Sequence, residues 1–315
     1  MLTRRQFLAL GGAAAAGMAG VGLYSWQMEP HWVELVRRPM LLEDLPPGLE
    51  GRTLLQISDI HVSHQVSSHY LIDAFARARE LTPDFVAFTG DFVTYRPAIQ
   101  YDELARVLRH MPNGRLATVG ALGNHDYGRW WRQRDAADRV TQIATDAGIR
   151  VLRNEVETVA GMQFAGLADV WSPEFGAYSE PARGNGRAGR PGDTDMVGQV
   201  APSGRDAPAT IQSIVAGVPT IVLAHNPDAQ DLPIWNGVRA WVLAGHTHGG
   251  QVKPPFLPPP ILPVRNKRYT SGEFALGNGR FMYINRGLGH LVQARFNVRP
   301  ELTLFTLRHG GTAVG

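Results

Sequence analysis

Apolar residues in this chain come largely in short unbroken runs, and five of these runs end on clusters of polar, metal-competent side chains. Leu54-Leu55-Gln56-Ile57 leads to Asp59-Ile60-His61, Phe85-Val86-Ala87-Phe88 to Gly90-Asp91, and residues 116–122 to Gly123-Asn124-His125-Asp126. Ile221-Val222-Leu223 leads to Ala224-His225-Asn226-Pro227-Asp228, and Trp241-Val242-Leu243 to Gly245-His246-Thr247-His248-Gly249-Gly250. Continuous runs of this length, bounded by Gly and Pro, predict strands buried on both faces. Polar groups carried on the ends of several such strands meet at one rim, where ligands bind in open α/β sheets.

Helical spacing separates these strands. Residues 68–81 place Leu71, Ile72, Phe75 and Ala78 on one face, and Pro83 closes the segment. Further helices are expected at 101–109, at 131–147 with Gly148 as the stop, and at 209–216. Residues 150–159 and 162–167 read as a hairpin turning at Ala160-Gly161, and 281–285 and 302–307 as closing strands. Residues 171–208 lack apolar periodicity, are rich in Gly, Pro, Arg and Asp, and read as a solvated loop insertion. The proline-dense stretch 253–263 carries Phe256, Leu257, Ile261 and Leu262. It reads either as a rigid polyproline-type connector or as an apolar groove for a lipid.

Composition narrows the chemistry. Cysteine is absent, so neither a disulfide framework nor a thiolate ligand is available, and any metal is held by imidazole, carboxylate or amide groups. That donor set suits zinc, manganese or iron. A formal charge of +3 without a basic stripe points away from nucleic acid. The first 28 residues stand apart: Thr3-Arg4-Arg5-Gln6-Phe7-Leu8 precedes an Ala/Gly-rich apolar run to about Trp26. Paired arginines ahead of a modest apolar segment look like a twin-arginine export signal, to be read by an export translocase. The run also approaches bilayer-spanning length, so an uncleaved anchor is a second reading. These readings divide the chain into a signal or anchor at 1–28, a connector at 29–50 and one domain at 51–310.

In order and spacing, the five motifs resemble the calcineurin-like metallophosphoesterase superfamily, over roughly residues 52–307. The resemblance implies a four-layered αββα sandwich, two mixed sheets flanked by helices, with a dimetal site at the sheet edge. By the same resemblance Asp59, His61, Asp91 and His248 would hold one divalent ion, and Asp91, Asn124, His225 and His246 a second, with Asp91 bridging. A bridging carboxylate draws two cations to roughly 3.5–4 Å, and a water they share becomes an in-line nucleophile near neutral pH. His125 would act on the substrate, as an acid or by stabilising developing charge. Asp126 would either hold the His125 tautomer or cap the turn, and Asn226 would cap.

The twin-arginine start, Gly245-His246-Thr247-His248-Gly249-Gly250-Gln251 and the block Asn285-Arg286-Gly287-Leu288-Gly289-His290 resemble exported bacterial phosphodiesterases within the superfamily. That branch also includes UDP-diacylglucosamine pyrophosphohydrolases. Its Gly-rich late block is expected to approach the site, with His290 a weaker candidate than the motif histidines. The resemblance thus implies a phosphomonoesterase or phosphodiesterase of the cell envelope, or a nucleotide-lipid pyrophosphohydrolase in contact with membrane lipid. A metal-dependent binding protein without activity is the reading of another class. Such proteins usually lose ligands, whereas this chain keeps all seven and His125.

Overall fold

In the computed structural model, residues 3–94, 99–178 and 201–310 are described. They form two six-stranded mixed sheets packed face to face. The first contains β1 (Glu34–Leu42), β2 (Thr53–Ile57), β3 (Phe85–Thr89), β4 (Ala117–Ala121), β5 (Arg150–Val151) and β12 (Glu301–His309), in the order β1-β12-β2-β3-β4-β5. The second contains β6 (Glu155–Val159), β7 (Met162–Gly166), β8 (Thr220–Leu223), β9 (Ala240–Ala244), β10 (Gly272–Gly277) and β11 (Arg280–Ile284), in the order β10-β11-β9-β8-β7-β6. Strands β2 to β5 run parallel, as do β7, β8, β9 and β11, so the ends of the five motif-bearing strands face one rim.

The apolar runs are continuous because both faces of each central strand are covered. Leu54, Phe85, Ala87, Ile221, Leu223, Trp241 and Leu243 fill the space between the sheets. Their neighbours Leu55, Val86 and Phe88 turn outward against the helices α2 (Ser68–Glu80), α3 (Ile99–Leu108) and α4 (Arg134–Asp146). Val222 and Val242 turn outward on the other side, toward Ile211 of the short helix α5 (Ala207–Gln212). The expected αββα layering is present, but its fourth layer is thin: α5 and irregular turns cover the second sheet. Ser67 caps α2 by accepting from Tyr70 N, and Asp206 caps α5 by accepting from Ala209 N.

Several expectations change. The stretch 29–50 is not a mere connector, because it holds the edge strand β1, paired in parallel with β12 from Glu34↔Glu301 to Leu42↔His309. The strand expected over 150–159 is two strands in different sheets, with the chain crossing between them at 152–154. Strand β10 was not anticipated. In the 171–208 stretch, Ser172, Pro173, Glu174 and Phe175 are buried instead of solvated. The central residues of that stretch lie outside the described residues.

The N-terminal helix α1 (Arg4–Leu23) is capped by Thr3, buries none of its residues, and is long and apolar enough to cross a membrane. Its foot is fastened to the body. Arg295 N donates to the Ser25 carbonyl at 2.9 Å, and Val298 N donates to the buried Glu29 carboxylate at 2.6 Å.

Candidate dimetal site

Seven motif residues meet at the rim. Asp59, His61 and His248 bring one ligand atom each within 4.8 Å of one another, and Asp91, His225 and His246 do the same. Asp91 joins the two groups, its Oδ2 lying 3.4 Å from His61 Nε2 and 3.2 Å from His225 Nε2. Asn124 begins the turn after β4 and is fully buried, yet neither side-chain atom has a hydrogen-bond partner among the described residues. A buried amide left so is expensive unless a ligand completes it.

The backbone is strained where these residues sit. Asp59, His61, Asp91, His246 and His248 all have φ between 45° and 69°, in the left-handed region. Non-glycine residues there cost about 1–2 kcal/mol each and cluster at functional sites. Close approach also requires glycine beside them. A Cβ on Gly245 would lie 2.0 Å from Ser58 Oγ and 2.2 Å from Asp59 Oδ2.

The outer partners of the histidines fix their tautomers. His225 Nδ1 faces the Thr89 carbonyl at 2.6 Å and His246 Nε2 faces the Pro263 carbonyl at 2.9 Å. A carbonyl only accepts, so each of these nitrogens carries a proton, and the other ring nitrogen is turned inward, where a cation can replace any proton it holds. His225 Nε2 thereby faces a carboxylate oxygen of Asp91; burial lowers the pKa of this ring, but Asp91 and Asp59 outweigh it and raise it well above its ordinary value. His61 Nδ1 bonds Thr94 Oγ1 at 2.9 Å, while its Nε2 lies 3.0 Å from His248 Nε2. These two Nε2 atoms are close enough for one to donate to the other, or for both to turn to a shared cation. Histidines tied outward to oxygen and turned inward by the other nitrogen are the usual metal-binding arrangement. The residues therefore fit two divalent ions.

Burial pushes the Asp59 carboxyl up to about 7, with His225 opposing and Asp91 adding to the rise. Burial acts the same way on Asp91, but His225, His125 and His61 outweigh it and hold that carboxylate well below its ordinary value. The Asp91 charge thus lies between the two groups, among imidazoles.

His125 is separate from both groups. Its backbone N donates to Asp91 Oδ1 at 2.9 Å, and its ring meets the His61 ring edge-on with centroids 5.1 Å apart. Burial lowers its pKa, against the pull of Asp91. Asp126 does not hold this ring. Its carboxylate accepts from Gly123 N at 2.8 Å and Val93 N at 3.2 Å, so it caps the turn that presents Asn124, as the alternative reading had it. Asn226 also caps, accepting from Asp228 N.

The Gly-rich late block does approach the site. Gly289 N donates to the Asp59 carbonyl at 2.7 Å, and a Cβ on Gly287 would lie 2.6 Å from that of Asp59. His290 turns away and bonds the Gln65 carbonyl. Gly249 and Gly250 abut Val298 and Pro259, so their role is loop packing.

Sequence reasoning missed Thr94, Asp169, Trp131 and Trp171. Asp169 is buried three residues beyond the end of β7, and burial pushes its carboxyl up to about 7. The signal was present: 162–169 repeats the pattern of an apolar strand ending on an acid.

A family model described as calcineurin-like phosphoesterase matches residues 52–250. The chain is 31% identical to an uncharacterised metallophosphoesterase, YkuE, of Bacillus subtilis, covering 98% of each. It is 31% identical to the phosphodiesterase YaeI of Escherichia coli, over 98% of this chain and 100% of that one. It is 27% identical to the UDP-2,3-diacylglucosamine pyrophosphatase LpxG of Chlamydia trachomatis, over 88% of this chain and 90% of that one. With its strands, rim and candidate ligands in this order, the chain belongs to the calcineurin-like phosphoesterase family and is a hydrolase of phosphoric ester bonds.

Proposed function

We propose that the protein hydrolyses phosphomonoesters or phosphodiesters in the cell envelope, using two divalent ions of manganese, zinc or iron. Asp59, His61, Asp91 and His248 hold one ion and Asp91, Asn124, His225 and His246 the other. The observation that carries this reading is the convergence of Asp59, His61 and His248 beside Asp91, His225 and His246, with His225 and His246 each tied on the outer side to a carbonyl. Bound at this rim, the pair of ions supplies Lewis acidity toward the phosphoryl oxygens and acidifies water. The chain's own part is to orient and to move a proton. Asp91 draws the two groups of ligands together, and the His125 ring offers an N–H to the departing or phosphoryl oxygen.

The paired Arg4-Arg5 and the unburied α1 support export through a twin-arginine translocase. The fastened foot of α1 favours an uncleaved anchor that holds the body at the membrane.

One observation favours the nucleotide-lipid alternative. Phe256, Leu257 and Ile261 are exposed on a loop whose Pro263 carbonyl holds His246. A UDP-diacylglucosamine-type substrate would lay its acyl chains there, and one relative carries that activity in its name.

The test is metal removal and replacement across a substrate panel. Chelation should abolish hydrolysis, and manganese or zinc should restore it at two ions per chain. Full turnover in a sample shown metal-free by elemental analysis would sink the dimetal reading. Turnover of UDP-diacylglucosamine far above simple diesters would select the alternative.

A further inference from the structure

Part of the rim beside the site is built by none of the proposed ligands. After the turn at 124–127 the chain passes Gly128 and places Trp130 and Trp131 at φ 61° and 62°, two successive left-handed residues that are not glycine. From the second sheet, Asp169 Oδ1 accepts from Trp171 N at 2.8 Å and fixes that residue beyond the end of β7. The two indoles stack, with centroids 4.5 Å apart and planes inclined by 17°.

Each end of the stack rests on an imidazole of the site. Trp131 lies 6.0 Å from the His125 ring, and Trp171 lies 4.5 Å from the His246 ring, edge to face. His125 in turn touches His61, and His246 touches His225, each at 5.1 Å. The indoles therefore complete an arc of rings that runs from the candidate proton donor to a candidate ligand of the second ion. Both are only partly buried.

Resting on the phosphoesterase reading, we propose that the Trp131–Trp171 pair is the subsite for the organic group of the phosphoester, and that it selects flat or apolar groups. A group leaving past His125, or retained beside His246, would lie alongside this wall. Indole offers apolar surface, a π face and a single N–H donor. A hydrated polyol would lose water there without replacement bonds, whereas a planar or hydrocarbon group gains contact area.

Binding of phenylphosphonate and methylphosphonate, by calorimetry on the manganese-loaded full-length protein, tests the assignment without turnover. Phenylphosphonate should bind about tenfold tighter, the scale of one aromatic contact. Trp171→Ala should bring the two within about twofold while leaving two metals per chain, and Trp171→Phe should keep most of the preference. Quenching of tryptophan fluorescence by phenylphosphonate should weaken in the same order. Equal binding of both ligands by the unaltered protein would overturn the subsite, as would a Trp171→Phe variant that behaves like Trp171→Ala. If the metal-loaded protein binds neither ligand and cleaves no phosphoester, the phosphoesterase reading falls and the subsite with it.

Discussion

Arg153 and Glu174 form a buried ion pair, Nη2 to Oε1 at 2.5 Å, that ties the crossover between the sheets to the segment carrying Trp171. Glu174 also accepts from Tyr127 Oη at 3.0 Å, and Arg134 lies 3.2 Å from it. Tyr127 closes the turn that presents Asn124 and His125. Removing one member of a buried pair leaves the other charge uncompensated. Glu174→Ala should therefore lower stability by about 3–5 kcal/mol, read by chemical denaturation. A loss below about 1 kcal/mol, the scale of a surface pair, would mean that the cluster is already solvated.

His125→Ala should leave two metals per chain and cut turnover by about 10²–10⁴-fold, the range of a positioned acid or base. If the imidazole protonates the departing oxygen, an alkyl ester should lose far more than a nitrophenyl ester, whose leaving group needs no proton. Equal losses would assign His125 to the phosphoryl oxygens instead. Loss of one metal would make it a ligand.

Stability should fall on mild acidification through His290. This ring is buried, its Nε2 bonds the Gln65 carbonyl at 3.1 Å, and Arg295, His31 and His61 are charged or titratable groups that act on it. Burial lowers its pKa from 6.5 to about 4. The folded chain keeps it neutral while the unfolded chain takes up a proton, so its contribution is complete above about pH 6.5 and is lost as pH falls toward 4. Denaturation of His290→Gln at pH 7 and at pH 5 should show a smaller acid loss than the unaltered protein. Parallel losses would exclude His290 as the source.

Replacing Arg4 and Arg5 by lysine should retain the protein in the cytoplasm, measured by cell fractionation. A translocase that reads the arginine pair rejects lysine, whereas a general secretory signal needs only positive charge. Unchanged export of the double variant would rule out the twin-arginine route.

How much of this was legible depends on where each residue's partners lie along the chain. The motif strands were readable because Leu54, Phe85, Ile221 and Trp241 are covered on both faces, which leaves a continuous apolar run. Strand β1 was not, because Arg37, Arg38 and Pro39 belong to an exposed sheet edge, where charge and proline are tolerated. Strand β10, at an edge of the second sheet, alternates half-buried and exposed positions and begins and ends on glycine. The crossover at 152–154 was hidden because Leu152 prolongs the apolar pattern while the chain changes sheets. Glu174 looked solvated because its main counter-charge, Arg153, is 21 residues away. The candidate ligand groups were legible from residue type and order. The indole wall was not, since Trp131 and Trp171 meet only in the folded chain.

The left-handed backbone at Asp59, His61, Asp91, His246 and His248 makes the rim a place where endurance and activity compete. Glycine at any of these positions would relax the backbone, and in the metal-free protein no ion-binding energy is lost with the side chain. A search for heat-resistant variants of the metal-free protein would be drawn to the residues proposed as ligands, so such a search is to be run with divalent ions present.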